Sequence, residues 1–245
     1  MARDEESMLW AEQNERLNAL SVDDFEWLNS DVFRYVIHLR SRPDGMSGPQ
    51  YDWRSHMRGG DVMGEVPESP VLAKYGCQEN TFMYVTELSY LVSLFGISEG
   101  WKVLEVGGGF GNFCRVFNHV MSPVSYTMLD NPPMLRFAKQ FLNEHELGDV
   151  ELVESDDMRH LAGRPFDLFV SNICLNETES TYRQRLFDQV LPGCFRCFII
   201  DGGVSGGPEF NAWISEELPR HFPKLEVLEL TTPWGVTNVY MGEKE

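Results

Sequence analysis

The run Val103-Leu-Glu-Val-Gly-Gly-Gly-Phe-Gly111 carries the clearest chemical signal in the chain. Val103 to Val106 read as a short buried strand. Gly107, Gly109 and Gly111 then lack side chains where the backbone must turn and let a ligand approach. Phe113-Cys-Arg-Val-Phe117 continues as a helix. A dinucleotide fingerprint needs glycine at 107, 109 and 112, but position 112 is Asn and the third glycine stands at 111, with Glu105 ahead of the turn. Tyr126-Thr-Met-Leu-Asp130 is a second strand, closing on an acid nineteen residues after Gly111. In an open parallel sheet the carboxyl ends of adjacent strands converge on one crevice, where Asp130 can accept hydrogen bonds from both hydroxyls of a ribose. Asp130 can equally cap the helix that opens at Pro132-Pro133.

The elements that must position these residues alternate from Trp101 onward, as in an α/β doubly wound sheet. Strands are expected at 101–106, 125–130, 150–155, 166–171, 196–201, 225–230 and 236–241, with helices at 111–121, 132–145, 179–191 and 208–221. The last two strands flank Thr-Thr-Pro-Trp-Gly and read as a hairpin. Residues 1–98 are of another kind, a mostly helical extension to the domain at 99–245. Met8 to Leu20 and Val22 to Arg40 have helical spacing, and so does Glu79 to Phe95, while 41–74 is turn-rich and too long for an idle connection, which suggests a lid or substrate loop. Trp10, Trp27 and Trp53 give the extension aromatic surface to bury against the second domain or a second subunit, so a homodimer through these helices is one expectation.

Composition narrows the partners. A formal charge of −18 repels a phosphate backbone, so a nucleic-acid substrate is not expected and a small molecule is. No apolar stretch approaches the ~20 residues of a membrane helix. The acidic start Met-Ala-Arg-Asp-Glu-Glu lacks the features of a secretory signal, and five cysteines, an odd number, suit a reducing compartment, so a cytoplasmic location is expected. Cys194-Phe-Arg-Cys197 has metal-ligand spacing but no second pair, and reads as strand packing.

The acid-then-glycine pattern at 105–111 resembles motif I of class I S-adenosylmethionine-dependent methyltransferases, and the terminal hairpin resembles the antiparallel end of their Rossmann-like seven-stranded sheet. The resemblance implies S-adenosyl-L-methionine as cofactor, with Glu105, Gly107, Gly109 and Gly111 at its methionine half and Asp130 on the ribose. In Glu154-Ser-Asp-Asp-Met158 it implies Asp156 on the adenine amino group, with Asp157 as a backbone contact and Met158 as an apolar wall. Asn172, closing Phe166-Asp-Leu-Phe-Val-Ser-Asn172, would stand beside the transferring methyl.

Two segments narrow the resemblance. Leu129-Asp-Asn-Pro-Pro-Met-Leu135 is similar, with a shift of one proline, to the Asp-x-Pro-x-x-Leu element of bacterial sugar O-methyltransferases, and Phe166 to Glu177 is similar to their Phe-Asp-Leu segment ending in Ser-Asn and a later Glu. The likeness spans roughly residues 80–200 and implies that Asn172 and Glu177 line the substrate side, with Tyr182 behind them. The second proline at 133 and the N-terminal segment depart from that pattern.

Methyl transfer is an in-line displacement, so positioning and exclusion of water supply much of the acceleration. An alcohol nucleophile also needs a proton acceptor, for which Glu177, His56 in the 41–74 loop and Asp201 after the fifth strand qualify. Arg54, Arg58 and Tyr84 could meet an anionic or sugar ligand. No metal is expected, because strand four ends in Ser171-Asn172 rather than an acid, although Asp156, Asp157 and Asp201 could still assemble a site. Methylation of a nitrogen or carboxylate, a non-catalytic cofactor-binding module and a dehydrogenase remain as alternative readings.

Overall fold

The computed structural model describes residues 100–201, 207–232 and 235–244, and in the preceding segment the helical positions Tyr84, Glu87, Leu88, Leu91 and Phe95. The expectations for His56, Arg54, Arg58, the two early helices, the 41–74 loop and Trp10, Trp27 and Trp53 lie outside the described residues.

In chain order the elements are β1 (Lys102–Val106), α1 (Asn112–Met121), β2 (Ser125–Asp130), α2 (Pro132–Glu144), β3 (Glu151–Glu154), β4 (Phe166–Asn172), α3 (Cys174–Glu177), α4 (Ser180–Gln189), β5 (Cys194–Ile200), α5 (Gly207–His221), β6 (Lys224–Thr232) and β7 (Gly235–Glu243). Short 3₁₀ turns follow β3 and α4 at Ser155–Leu161 and Leu191–Gly193. They form one seven-stranded sheet in the order β3-β2-β1-β4-β5-β7-β6. Strands β1 to β5 pair in parallel, and β7 lies antiparallel between β5 and β6. The hairpin ladder runs to Thr232↔Gly235, longer than the sequence suggests. The central strands β1, β4 and β5 are mostly apolar and buried along their length, as strands covered on both faces should be.

The register sorts the core. Leu104, Phe169 and Cys197 lie side by side on one face and pack with Leu186 and Phe187 of α4 and Phe210 and Ile214 of α5. All seven are 2% exposed or less, and each such side chain is worth about 1.5–3 kcal/mol of burial. Val103, Glu105, Tyr126 and Met128 share the other face, where the Phe117 ring of α1 meets Tyr126 edge-on at 5.6 Å. Cys194 and Cys197 are free and fully buried, as packing residues should be.

Helix α2 begins as its prolines require, but Asn131 rather than Asp130 is the cap: its side chain accepts the Met134 amide at 3.0 Å. The helix expected over 179–191 is α4, and a further short helix not expected from the sequence, α3, precedes it. Thr178 is extended (φ −89°, ψ 155°), separating the four-residue α3 from α4, and Pro192 stands in the turn after α4.

Candidate functional site

The turn after β1 is built by backbone geometry that side chains would obstruct. Gly107 has φ +79°, in the left-handed region, and its amide donates to the Leu129 carbonyl at 2.9 Å, tying the loop to β2. A Cβ at Gly107 would overlap Cβ and Sγ of Cys174. A Cβ at Gly108 would stand 2.8 Å from Met128 Cε and 2.9 Å from Glu105 Oε2. Gly109 differs: with φ +56° its missing side chain faces open space, the nearest atom being Met134 Cε at 4.0 Å. The loop is therefore packed from behind at 107 and 108 and open at 109, where a ligand can approach. Gly111 accepts from the Arg115 amide at 2.9 Å and opens α1.

Asp130 reaches this loop directly. Its Oδ2 accepts the Gly109 amide at 2.8 Å and its Oδ1 accepts the Asn131 amide at 2.6 Å. Since Asn131 has taken the capping role, the Asp130 carboxylate is left at the mouth of the crevice, and each oxygen keeps lone-pair capacity for a further donor. Burial raises its pKa, and the two amide bonds act in the opposite direction.

Glu105 lies under the loop, 1% exposed, with Oε2 accepting the Tyr126 hydroxyl at 2.8 Å. Burial pushes its pKa up to about 8; the Tyr126 bond opposes this and the Asp130 charge adds to it. Near neutral pH its carboxyl is thus mostly protonated.

No protein-family model and no curated protein matches the sequence. Solved structures do share the sheet. The methyltransferase domain of bacterial CtHen1-CN aligns with a TM-score of 0.55 and 15% identity, over 67% of this chain and 99% of that one. A putative RNA methyltransferase, PH1948 from Pyrococcus horikoshii, aligns with a TM-score of 0.51 and 13% identity, over 78% and 92%. EvdMO1 aligns with a TM-score of 0.51 and 18% identity, over 69% and 41%. The chain has the class I methyltransferase fold.

Within the methyltransferase fold the other expected residues separate into two groups. Tyr182 lies within electrostatic reach of Asp130, Asp156 and Cys174, the last of which no motif marks. The Cys174 thiol is pushed up to about 12 by burial and then by Asp130, Glu177 and Glu105, and the Tyr182 phenol to about 12 by burial and then by Cys174 and Asp130, with Asp156 adding to it. Glu177, exposed at the end of α3, and exposed Asp156 thus share one electrostatic neighbourhood with Asp130. Asn172 closes β4 beside them and is half-buried.

A second group is tied into its own surroundings. Met158 is 3% exposed and belongs to the core with Leu104, Val106 and Val153. Asp157 stands 3.9 Å from both Arg159 and His160. Asp201 is held as a structural group: Oδ1 accepts the Asn238 amide and Oδ2 the Asn238 side-chain amide, both at 2.8 Å, with the Tyr240 hydroxyl at 3.4 Å. It is 1% exposed. Among the described residues no group of three His, Cys, Asp or Glu is arranged to hold a metal ion, and no helix is long and apolar enough to cross a membrane.

Three residues of the loop's surroundings carry no motif signal. Tyr126 and Gly108 are legible only through register and loop packing. Cys174 is hidden because it depends on Ile173, a β-branched residue in the left-handed region at φ 65°, which sequence preferences argue against.

Proposed function

We propose that the protein is an S-adenosyl-L-methionine-dependent methyltransferase that methylates a hydroxyl on a small molecule, a sugar or a sugar-bearing natural product. The observation that carries this reading is the 2.8 Å bond from the Gly109 amide to Asp130 Oδ2, which joins the open point of the glycine loop to the acid of β2. That corner fits the cofactor: the space over Gly109 admits it, Asp130 offers two acceptor oxygens to ribose hydroxyls, and Asp156 offers one to the adenine amine. When bound, the cofactor supplies an activated methyl group on a sulfonium.

The residues of this chain bind, orient and move a proton. The Glu105–Tyr126 pair fixes the floor of the loop, Cys174 fixes its β4 side, and Asn172 stands at the strand end where an acceptor would enter. Glu177 takes the proton of the acceptor hydroxyl, since it is exposed and its charge reaches Cys174 together with that of Asp130, whereas Asp201 is 1% exposed. The −18 charge disfavours an RNA acceptor, the kind named for the Pyrococcus protein, and agrees with a neutral or cationic small molecule.

The test is methyl transfer from radiolabelled S-adenosylmethionine to a panel of sugars, phenols, amines and carboxylic acids. Label in a base-stable ether supports the reading. Label in a base-labile ester or in an amine replaces the hydroxyl acceptor by the other chemistry.

A further inference from the structure

We propose that Arg183 is a positioning residue that clamps the segment 172–178 against the glycine loop. The inference rests on the reading of the crevice between Gly107 and Asp130 as the cofactor site. The segment cannot hold itself. It opens on Ile173, whose left-handed conformation (φ 65°, ψ −22°) costs about 1–2 kcal/mol, and continues into a helix of four residues, too short to be stable alone. Its first end is pinned by the Ile173 amide donating to the Ile200 carbonyl at 2.9 Å. There Cys174 is seated so closely on Gly107 that no side chain fits between them.

Arg183 of α4 pins the other end. Its Nη1 donates to the Leu175 carbonyl at 3.1 Å and the Thr178 carbonyl at 2.6 Å, while Thr178 Oγ1 also donates to the Leu175 carbonyl at 2.9 Å. The guanidinium lies against two rings of α5, its Cζ 5.1 Å from the Trp213 centroid and 5.4 Å from that of Phe210. Trp213 is itself held by its Nε1 donating to Gln184 Oε1 at 3.3 Å. Among the described residues Arg183 makes no ion pair, in a chain whose net charge is −18. Its charge instead meets backbone carbonyls and aromatic faces. A lysine keeps the charge but has no planar group to stack and bridge at once. Glu177 lies between the two carbonyls that Arg183 holds, so the clamp fixes both the seat of Cys174 on the loop and the presentation of Glu177.

The test uses the full chain with Arg183→Met and Arg183→Lys. N-ethylmaleimide labelling is read by peptide mass at Cys174 and Cys197, and S-adenosylhomocysteine affinity by calorimetry. In Arg183→Met, Cys174 labelling is expected to rise at least about five-fold with Cys197 unchanged, and the Kd for S-adenosylhomocysteine about three-fold or more, because opening is local to the segment. Arg183→Lys is expected to fall between wild type and Arg183→Met. Labelling of Cys174 at the wild-type rate, or an equal rise at both cysteines from general loosening, overturns the proposal. If wild type binds no S-adenosylhomocysteine, the cofactor reading fails, and the labelling ratio still decides whether Arg183 clamps the segment.

Discussion

Asp130 Oδ2 accepts the Gly109 amide at 2.8 Å, so the acid at the end of β2 and the open glycine of the loop form one unit before any ligand arrives. Asn131 makes this available by capping α2 in its place. A carboxylate already aligned by two amides loses little further freedom on accepting a ligand hydroxyl.

Asp130→Ala removes that unit. S-adenosylhomocysteine affinity is expected to fall about ten- to a hundred-fold, the worth of one charge-assisted hydrogen bond at about 1.5–3 kcal/mol. Asp130→Asn keeps one acceptor oxygen and should fall between the two, as read by calorimetry.

Gly107→Ala meets two penalties, a left-handed backbone and overlap with Cys174. A loss of about 2 kcal/mol or more in urea unfolding is expected. Gly109→Ala bears only the first, about 1 kcal/mol, because the space beside it is open. Its larger effect should be on cofactor affinity.

Glu105 sets a pH dependence of stability. Its pKa rises from an ordinary 4.5 to about 8 on folding, so between those values the folded protein holds a proton that the unfolded chain has released. Its contribution is complete below pH 4.5 and is lost as pH rises through 8. Glu105→Gln should flatten the fall in Tm across that window. Tyr126→Phe removes the bond that holds the pKa down, and should extend the fall to higher pH.

Asp201→Asn separates a structural acid from a proton acceptor. Loss of its bonds to Asn238 is expected to cost about 1–3 kcal/mol in denaturant unfolding and to leave S-adenosylhomocysteine affinity unchanged. Glu177→Gln should do the reverse if Glu177 is the base we propose, lowering the methyl-transfer rate about 10²–10⁴-fold, with little change in stability because it is exposed.

Much of the sheet was legible because its strands are apolar runs punctuated by glycine and proline, and because Thr-Thr-Pro-Trp-Gly sits between two such runs. The approach of Asp130 to the loop followed from the convergence of parallel strand ends. Three features were not legible. Tyr126 meets Glu105 only once β1 and β2 are in register, and their spacing of 21 residues shows no local pattern. Cys174 reaches Gly107 through a left-handed Ile173, against the preference of a β-branched residue. The short α3 and the extended Thr178 ahead of the helix expected over 179–191 carry no local signal, and the Thr178 carbonyl is met by the Arg183 side chain of α4.

The most direct measurement is calorimetric titration of the wild-type protein and Asp130→Ala with S-adenosylhomocysteine and, separately, NAD. The account predicts saturable binding of S-adenosylhomocysteine that weakens in Asp130→Ala, with no binding of NAD. Binding of NAD alone, or S-adenosylhomocysteine binding indifferent to Asp130, would contradict it.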